Sequence, residues 1–309
     1  HMENLQTTEE EYRDETYEDY VSHELFHHWF GDLVTAESWS NITLNESFAT
    51  YGEYLWREHK YGKEYADELL EEFRSYESLY GTVSAELVRY NYHRPDDVFD
   101  IISYQKGALI LHMLRHEIGD KAFRAGIKKY LTDFSYQSAE VSQLRMAFES
   151  VTGKDLSPFF YQWYFTGGKP RISLAGKWNA DSGIFQFNIT QEQQHRNTYT
   201  FKTSLKLKLG NVIKTIPLEI NSREFSKNIH LPQKPDYWIF DPENQLLAII
   251  DYVKTDIETG INNLKMLQNA MLQENNPAIK LNLLNLSKQI YSNNDFDFMV
   301  EPYNTLLDS

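Results

Sequence analysis

Residues 23–27 read His-Glu-Leu-Phe-His, and Glu46 follows after 18 intervening residues. Residues four apart on a helix share a face, so His23 and His27 present both imidazoles to one side. Zinc takes nitrogen and oxygen donors in a tetrahedral set, and a catalytic zinc keeps one position open for water. Glu24 follows His23 directly and can reach that water without binding the ion, which is how a zinc protease places its general base. His23, His27 and Glu46 are therefore the expected ligands of one Zn2+ per chain, and Glu24 is the expected base. The imidazoles must be neutral to bind, so metal affinity is expected to fall in acid.

The bland alternative is a helix with two solvent-facing histidines. A His-Glu-x-x-His match arises by chance in roughly one chain in a hundred, and a correctly spaced third ligand lowers that by about tenfold. His28 points about 100° away from its neighbour on a helix, so it is not expected to bind the metal. His112 and His116 form a second pair four apart, but no Glu follows the first of them, so packing or surface roles are expected.

Two elements must hold these groups. Tyr17 to Val21 lead into the first motif with helical character, and Gly31 stands where a C′ glycine ends a helix. A second helical pattern starts near Leu44 and runs through Phe48, Tyr51, Leu55 and Trp56. It puts Glu46 in the first turn, where a carboxylate suits the helix dipole. Trp29, Phe30 and Trp39 read as core. Asn45 and Thr50 are candidate supports, since metal ligands need oriented partners.

The run His23-Glu-Leu-Phe-His-His-Trp-Phe-Gly-Asp32 resembles the zinc helix of the aminopeptidase N family of gluzincins. Leu44-Asn-Glu-Ser-Phe-Ala-Thr-Tyr51 resembles its third-ligand helix, and Tyr104-Gln-Lys-Gly-Ala108 its Tyr-x-Lys-Gly signature. Met2-Glu3-Asn4 is similar to the tail of its Gly-x-Met-Glu-Asn exopeptidase motif, with the leading Gly missing and His1 at the variable position. The resemblance covers residues 1 to about 250. It implies that the Tyr104 hydroxyl stabilises the oxyanion of the tetrahedral intermediate. It also implies that the Glu3 carboxylate anchors the substrate's free α-amino group. The implied activity is zinc-dependent removal of N-terminal residues from peptides, by a zinc-bound water that Glu24 activates.

Against the family layout, the N-terminal β-domain and most of the C-terminal helical domain are missing, and the stretch from Asn4 to His23 is short. A fragment with weak turnover is therefore expected. One competing reading is a thermolysin-like endopeptidase, which shares the zinc core and differs here only through Glu3. A non-catalytic peptide-binding relative is another, opposed by the intact Glu24 and ligand set. A leukotriene hydrolase relative would carry a tyrosine five residues before Tyr104, where this chain has Phe99.

With 30 basic and 45 acidic residues among 309, the net charge is −15. That argues against nucleic acid or an anionic membrane as a partner and leaves peptides with a free N-terminus. There are no cysteines, so any metal must be held by His and carboxylates. No apolar run approaches the roughly 18 residues of a membrane span. The expected setting is a soluble protein, in the cytoplasm rather than the periplasm.

Helical spacing of apolar residues predicts helices near 62–80, 103–118, 120–133, 138–151 and 155–166. Gly167-Gly168-Lys169-Pro170 marks a boundary. Strands are then predicted over 171–178, 183–191, 199–207, 212–220, 225–231, 237–240 and 246–252. The expected fold is multidomain α+β. A mainly helical, thermolysin-like catalytic domain spans 1–168, a β-sandwich 169–254, and the start of a helical domain 255–309.

Overall fold

The computed structural model describes residues 15–80, 85–194 and 198–252, together with 266, 271–273, 280 and 284. It divides between Gly168 and Lys169 into two units. The first is mainly helical. Helix α1 (Glu15–Phe26) carries the first motif, α2 (Thr43–Tyr61) carries Glu46, and α3 (Lys63–Tyr80) follows after one residue. A π-helical turn (Ile102–Lys106) runs directly into α4 (Gly107–Ile118). Helices α5 (Asp120–Asp133), α6 (Val141–Thr152) and α7 (Ser157–Tyr164) complete this unit.

Helices α1 and α2 run antiparallel, and charged pairs set their register. Arg57 forks onto Asp19, with Nε 2.9 Å from one carboxylate oxygen. Four residues on along α1, His23 meets Glu53, four residues back along α2. Such bidentate pairing fixes geometry as well as adding energy. Gly52 lets the helices approach closely: a Cβ there would come within 2.5 Å of the Phe26 ring. Beyond α1, Phe30 stacks on Phe48 with ring centroids 4.1 Å apart, and both are buried. Gly31 has φ +149° and turns the chain out of the motif into strand β1 (Val34–Ala36).

Three expectations need correction here. Trp29 and Trp39 are exposed rather than core, at 48% and 45% accessibility. Trp39 instead lies against Phe99, itself exposed, at 5.6 Å between rings. The predicted helix 103–118 begins as a π turn, and the one predicted from 138 starts at Val141. Residues 137–139 instead form strand β2 (Gln137–Ala139), which pairs in parallel with β1. A three-residue strand is too short for its alternation to outweigh the helical pattern that follows.

The second unit contains β3 (Arg171–Asn179), β4 (Ile184–Gln191), β5 (Phe201–Leu209), β6 (Val212–Ile220), β7 (Glu224–His230), β8 (Tyr237–Phe240) and β9 (Ile249–Tyr252). Their order is β7-β4-β3-β9 in one sheet and β6-β5-β8 in the other. Neighbours are antiparallel except β3 and β9, which run parallel. Inward residues alternate along β5, with Leu205 and Leu207 buried and Lys206 between them on the opposite face. Phe187 of β4 meets Trp238 of β8 at 5.4 Å, so the sheets bury their apolar faces against each other. Most of 255–309, where a helical domain was expected, lies outside the described residues.

Candidate active site

His23 lies in the last turn of α1, and His27 lies one turn on, its amide still bonded to the His23 carbonyl at 3.3 Å. Glu46 occupies the first turn of α2, as its spacing predicts. Both imidazole Nε2 atoms face one Glu46 oxygen, at 3.5 Å from His23 and 3.4 Å from His27. The other ring nitrogens are committed elsewhere. His23 Nδ1 is 2.8 Å from Glu53 Oε1, and His27 Nδ1 is 3.1 Å from the Phe30 carbonyl. A carbonyl or an ionised carboxylate only accepts, so both Nδ1 atoms donate. In the neutral rings that metal binding requires, this leaves the lone pair on each Nε2, on the side that faces Glu46.

This set fits a zinc ion. Tetrahedral bonds of about 2.0–2.2 Å separate neighbouring ligand atoms by roughly 3.4 Å, and the two His–Glu distances match. Among the described residues, these three form a group whose donor atoms all lie within 4.8 Å of one another. The electrostatics also suit a cation. Burial opposes a charged His23, but hydrogen bonds to Glu46 and Glu53 outweigh it and raise its pKa to about 9. Burial likewise works to raise Glu46, and its hydrogen bonds with His23 and His27 overcome that and hold it at about 2. Carboxylates that favour a proton on these rings would equally favour a cation held between them.

A cavity of about 620 Å³ opens on this cluster and is lined by His23, Glu24, His27, Glu46 and Tyr104 among others. Five of the six residues singled out from the sequence thus share one cleft. The sixth, Glu3, lies outside the described residues. Glu24 is exposed to the cleft. Tyr104 stacks beside His23, rings parallel and 5.8 Å apart. Its hydroxyl pKa is raised, first by burial and then by the Glu46 carboxylate, so the phenol keeps its proton for donation.

The π turn brings Tyr104 to this position. Asp100 Oδ1 accepts from the Ile102 and Ser103 amides, and Arg89 forks onto Asp100 while reaching Ser103 Oγ at 2.8 Å. Ser47, next to Glu46, donates to the Ser103 carbonyl at 2.6 Å. Gly107 allows this contact, because a Cβ there would fall 1.7 Å from Ser47 Oγ. Buried Lys106 donates to the Ala85 carbonyl at 2.8 Å. The Tyr-x-Lys-Gly signature therefore has a local physical reading: one side chain in the cleft, one buried anchor and one close approach.

Glu53 escaped the sequence reading. Its signal was present, since it lies seven residues after Glu46 and so two turns along the same face of α2. Asn45 and Thr50, read as supports, have their buried Oδ1 and Oγ1 atoms without hydrogen-bond partners among the described residues. His28 is exposed, 3.4 Å from Asp32, and does not join the cluster. His112 is fully buried, within hydrogen-bond reach of the Tyr51 hydroxyl at 3.0 Å and of His116 at 3.1 Å. Among the described residues no helix is long and apolar enough to cross a membrane.

Comparison with known proteins gives this geometry a context. The family model described as the peptidase family M1 domain matches residues 2–163. A probable aminopeptidase 1 from Sulfurisphaera tokodaii is 28% identical, over 91% of this chain and 40% of its own length. Tricorn protease-interacting factor F2 from Thermoplasma acidophilum is 38% identical over 56% of this chain and 22% of its own. A leucyl aminopeptidase from Saccharolobus solfataricus is 29% identical over 71% and 33% respectively. The chain thus spans less than half the length of each of these relatives. A crystal structure of Legionella pneumophila aminopeptidase A in complex with aspartic acid has the same fold at a TM-score of 0.74 and 19% identity. It covers 94% of this chain and 33% of that one.

Proposed function

Because the chain belongs to peptidase family M1, we propose that it is a zinc-dependent aminopeptidase acting on peptides with a free N-terminus. The observation that carries this is the convergence of both Nε2 atoms on Glu46, with each Nδ1 tied back and Glu24 and Tyr104 at the same cleft. His23, His27 and Glu46 would hold the ion. When bound, it would polarise the scissile carbonyl and make water acidic near neutral pH.

The chain's own groups do the rest. Glu24 takes a proton from the attacking water and returns it to the leaving amine, which needs one carboxylate within reach of both. Tyr104 donates its hydroxyl proton in a hydrogen bond to the oxygen that becomes negative, favouring the transition state over the substrate. Glu3, in the Met2-Glu3-Asn4 stretch, is assigned to the substrate's ammonium group. Such a carboxylate would turn a general peptidase cleft into one for chain ends. Relatives named as aminopeptidases support this reading over the endopeptidase one.

The test is release of the N-terminal residue from matched free and N-acetylated peptides, with and without added zinc. Zinc-dependent cleavage of the free peptide alone is expected. Equal cleavage of both would remove the aminopeptidase assignment.

A further inference from the structure

The cleft extends past the proposed metal ligands into a groove between α1 and α3. From α3, Leu69, Glu72, Phe73 and Tyr76 line it, and this spacing of three, four and seven residues places them on one helix face. From α1 comes Tyr20, one turn before Glu24 and on the same face. Leu69 and Phe73 are 3% exposed and form the floor, while Tyr20 and Tyr76 are 62% and 44% exposed and stand as walls.

Most carboxylates of the cleft already have an assignment. Asp19 is forked by Arg57, Glu46 faces both histidines, Glu53 holds His23, and Glu24 is the proposed base. Glu72 has no such assignment: it lines the groove with no ion pair or hydrogen bond among the described residues, and it is exposed to solvent there. The leaving amine must lie against Glu24 to receive its proton. The residue carrying that amine therefore continues towards Tyr20, one turn back, and so into this groove.

We propose that the groove is a subsite for the residue that follows the scissile bond, and that Glu72 with Tyr20 and Tyr76 selects a basic side chain there. An arginine or lysine stem would lie along the Leu69–Phe73 floor. Its charge would meet the Glu72 carboxylate and the faces of the two tyrosines. An acidic side chain would meet the like charge of Glu72. This inference rests on the aminopeptidase reading for the direction in which the peptide runs.

The test measures binding, so that it does not depend on turnover. In the zinc-loaded Glu24→Gln protein, the affinities of Ala-Arg-Ala and Ala-Glu-Ala are compared by calorimetry. An exposed ion pair with a cation–π contact gives an expected preference of about five- to tenfold for the arginine peptide. Adding Glu72→Gln should bring the two close to parity, and Glu72→Lys should reverse the order. Equal affinities, no binding of either peptide, or a preference that survives both Glu72 changes would overturn the subsite. So would a Glu72→Gln effect seen only as lost discrimination between free and acetylated N-termini, which would make Glu72 an amine anchor. Failure of the aminopeptidase reading shows separately, as wild-type protein that leaves Ala-Arg-Ala uncleaved.

Discussion

His23 Nδ1 lies 2.8 Å from Glu53 Oε1, and this contact decides which nitrogen of His23 faces the candidate metal centre. In the neutral ring, with the proton held on Nδ1, Nε2 keeps its lone pair on the side that faces Glu46. The carboxylate also makes the ring a better donor and prevents it from rotating. Burial raises the Glu53 pKa, and its hydrogen bond to His23 works against that rise. The expected result of Glu53→Ala is a loss of about 10–100-fold in zinc affinity, with Glu53→Gln losing less because its carbonyl still accepts. Competition with a zinc chelator measures this. Unchanged affinity in Glu53→Ala would show that the contact does not orient the ring.

Tyr104→Phe removes one hydroxyl and keeps the stacking against His23. Loss of one oxyanion donor costs about 10²–10³ in turnover. The expected outcome is a drop of that size in kcat with zinc content unaltered. A loss of zinc alongside the activity would instead make Tyr104 a structural neighbour of the ligands.

Gly107→Ala places a methyl where Ser47 Oγ already sits. Overpacking of this kind costs about 1–3 kcal/mol, and here it would also push the Tyr104 turn away from α2. Urea denaturation should show that loss. Turnover should fall further than zinc affinity does, because His23, His27 and Glu46 are carried by α1, the turn that follows it and α2. An unchanged midpoint and unchanged turnover would mean that the turn moves without consequence.

Acid sensitivity should come in part from His112. Burial holds its pKa well below the ordinary value, reinforced by the positive charges of His116, Arg74, Lys63 and Arg115. The group is neutral in the folded chain and has its ordinary pKa near 6.5 when unfolded. Above pH 6.5 neither state binds the proton and stability is unaffected. Below it the unfolded state gains a proton that the folded state refuses, so stability falls, by at most about 1.4 kcal/mol per pH unit. Between pH 6.5 and 5, wild-type stability should drop more steeply than that of His112→Gln. Parallel slopes would contradict this account of His112.

The clustering of His23, His27 and Glu46 was legible from spacing: four residues make one helix turn, and the acid stands at the start of the next helix. The strands of the second unit were legible because alternation is strong in stretches such as Phe201–Leu209. Glu53 was missed because an acid on a helix face reads as solvated until a partner is known. Trp29 and Trp39 misled for the converse reason, since their size suggests a core and only tertiary contacts reveal the surface. The π turn at Ile102–Lys106 leaves no mark on hydrophobic periodicity. It is set by contacts from Arg89, Asp100 and Ser47, which belong to separate segments.

The central claim is that His23, His27 and Glu46 hold one zinc while Glu24 handles protons without binding it. Zinc stoichiometry and peptide turnover, measured together on wild type and Glu24→Gln, test this most directly. The account expects one zinc per chain in both proteins and turnover only in the wild type. Loss of zinc on Glu24→Gln, or turnover undiminished by it, would contradict the account.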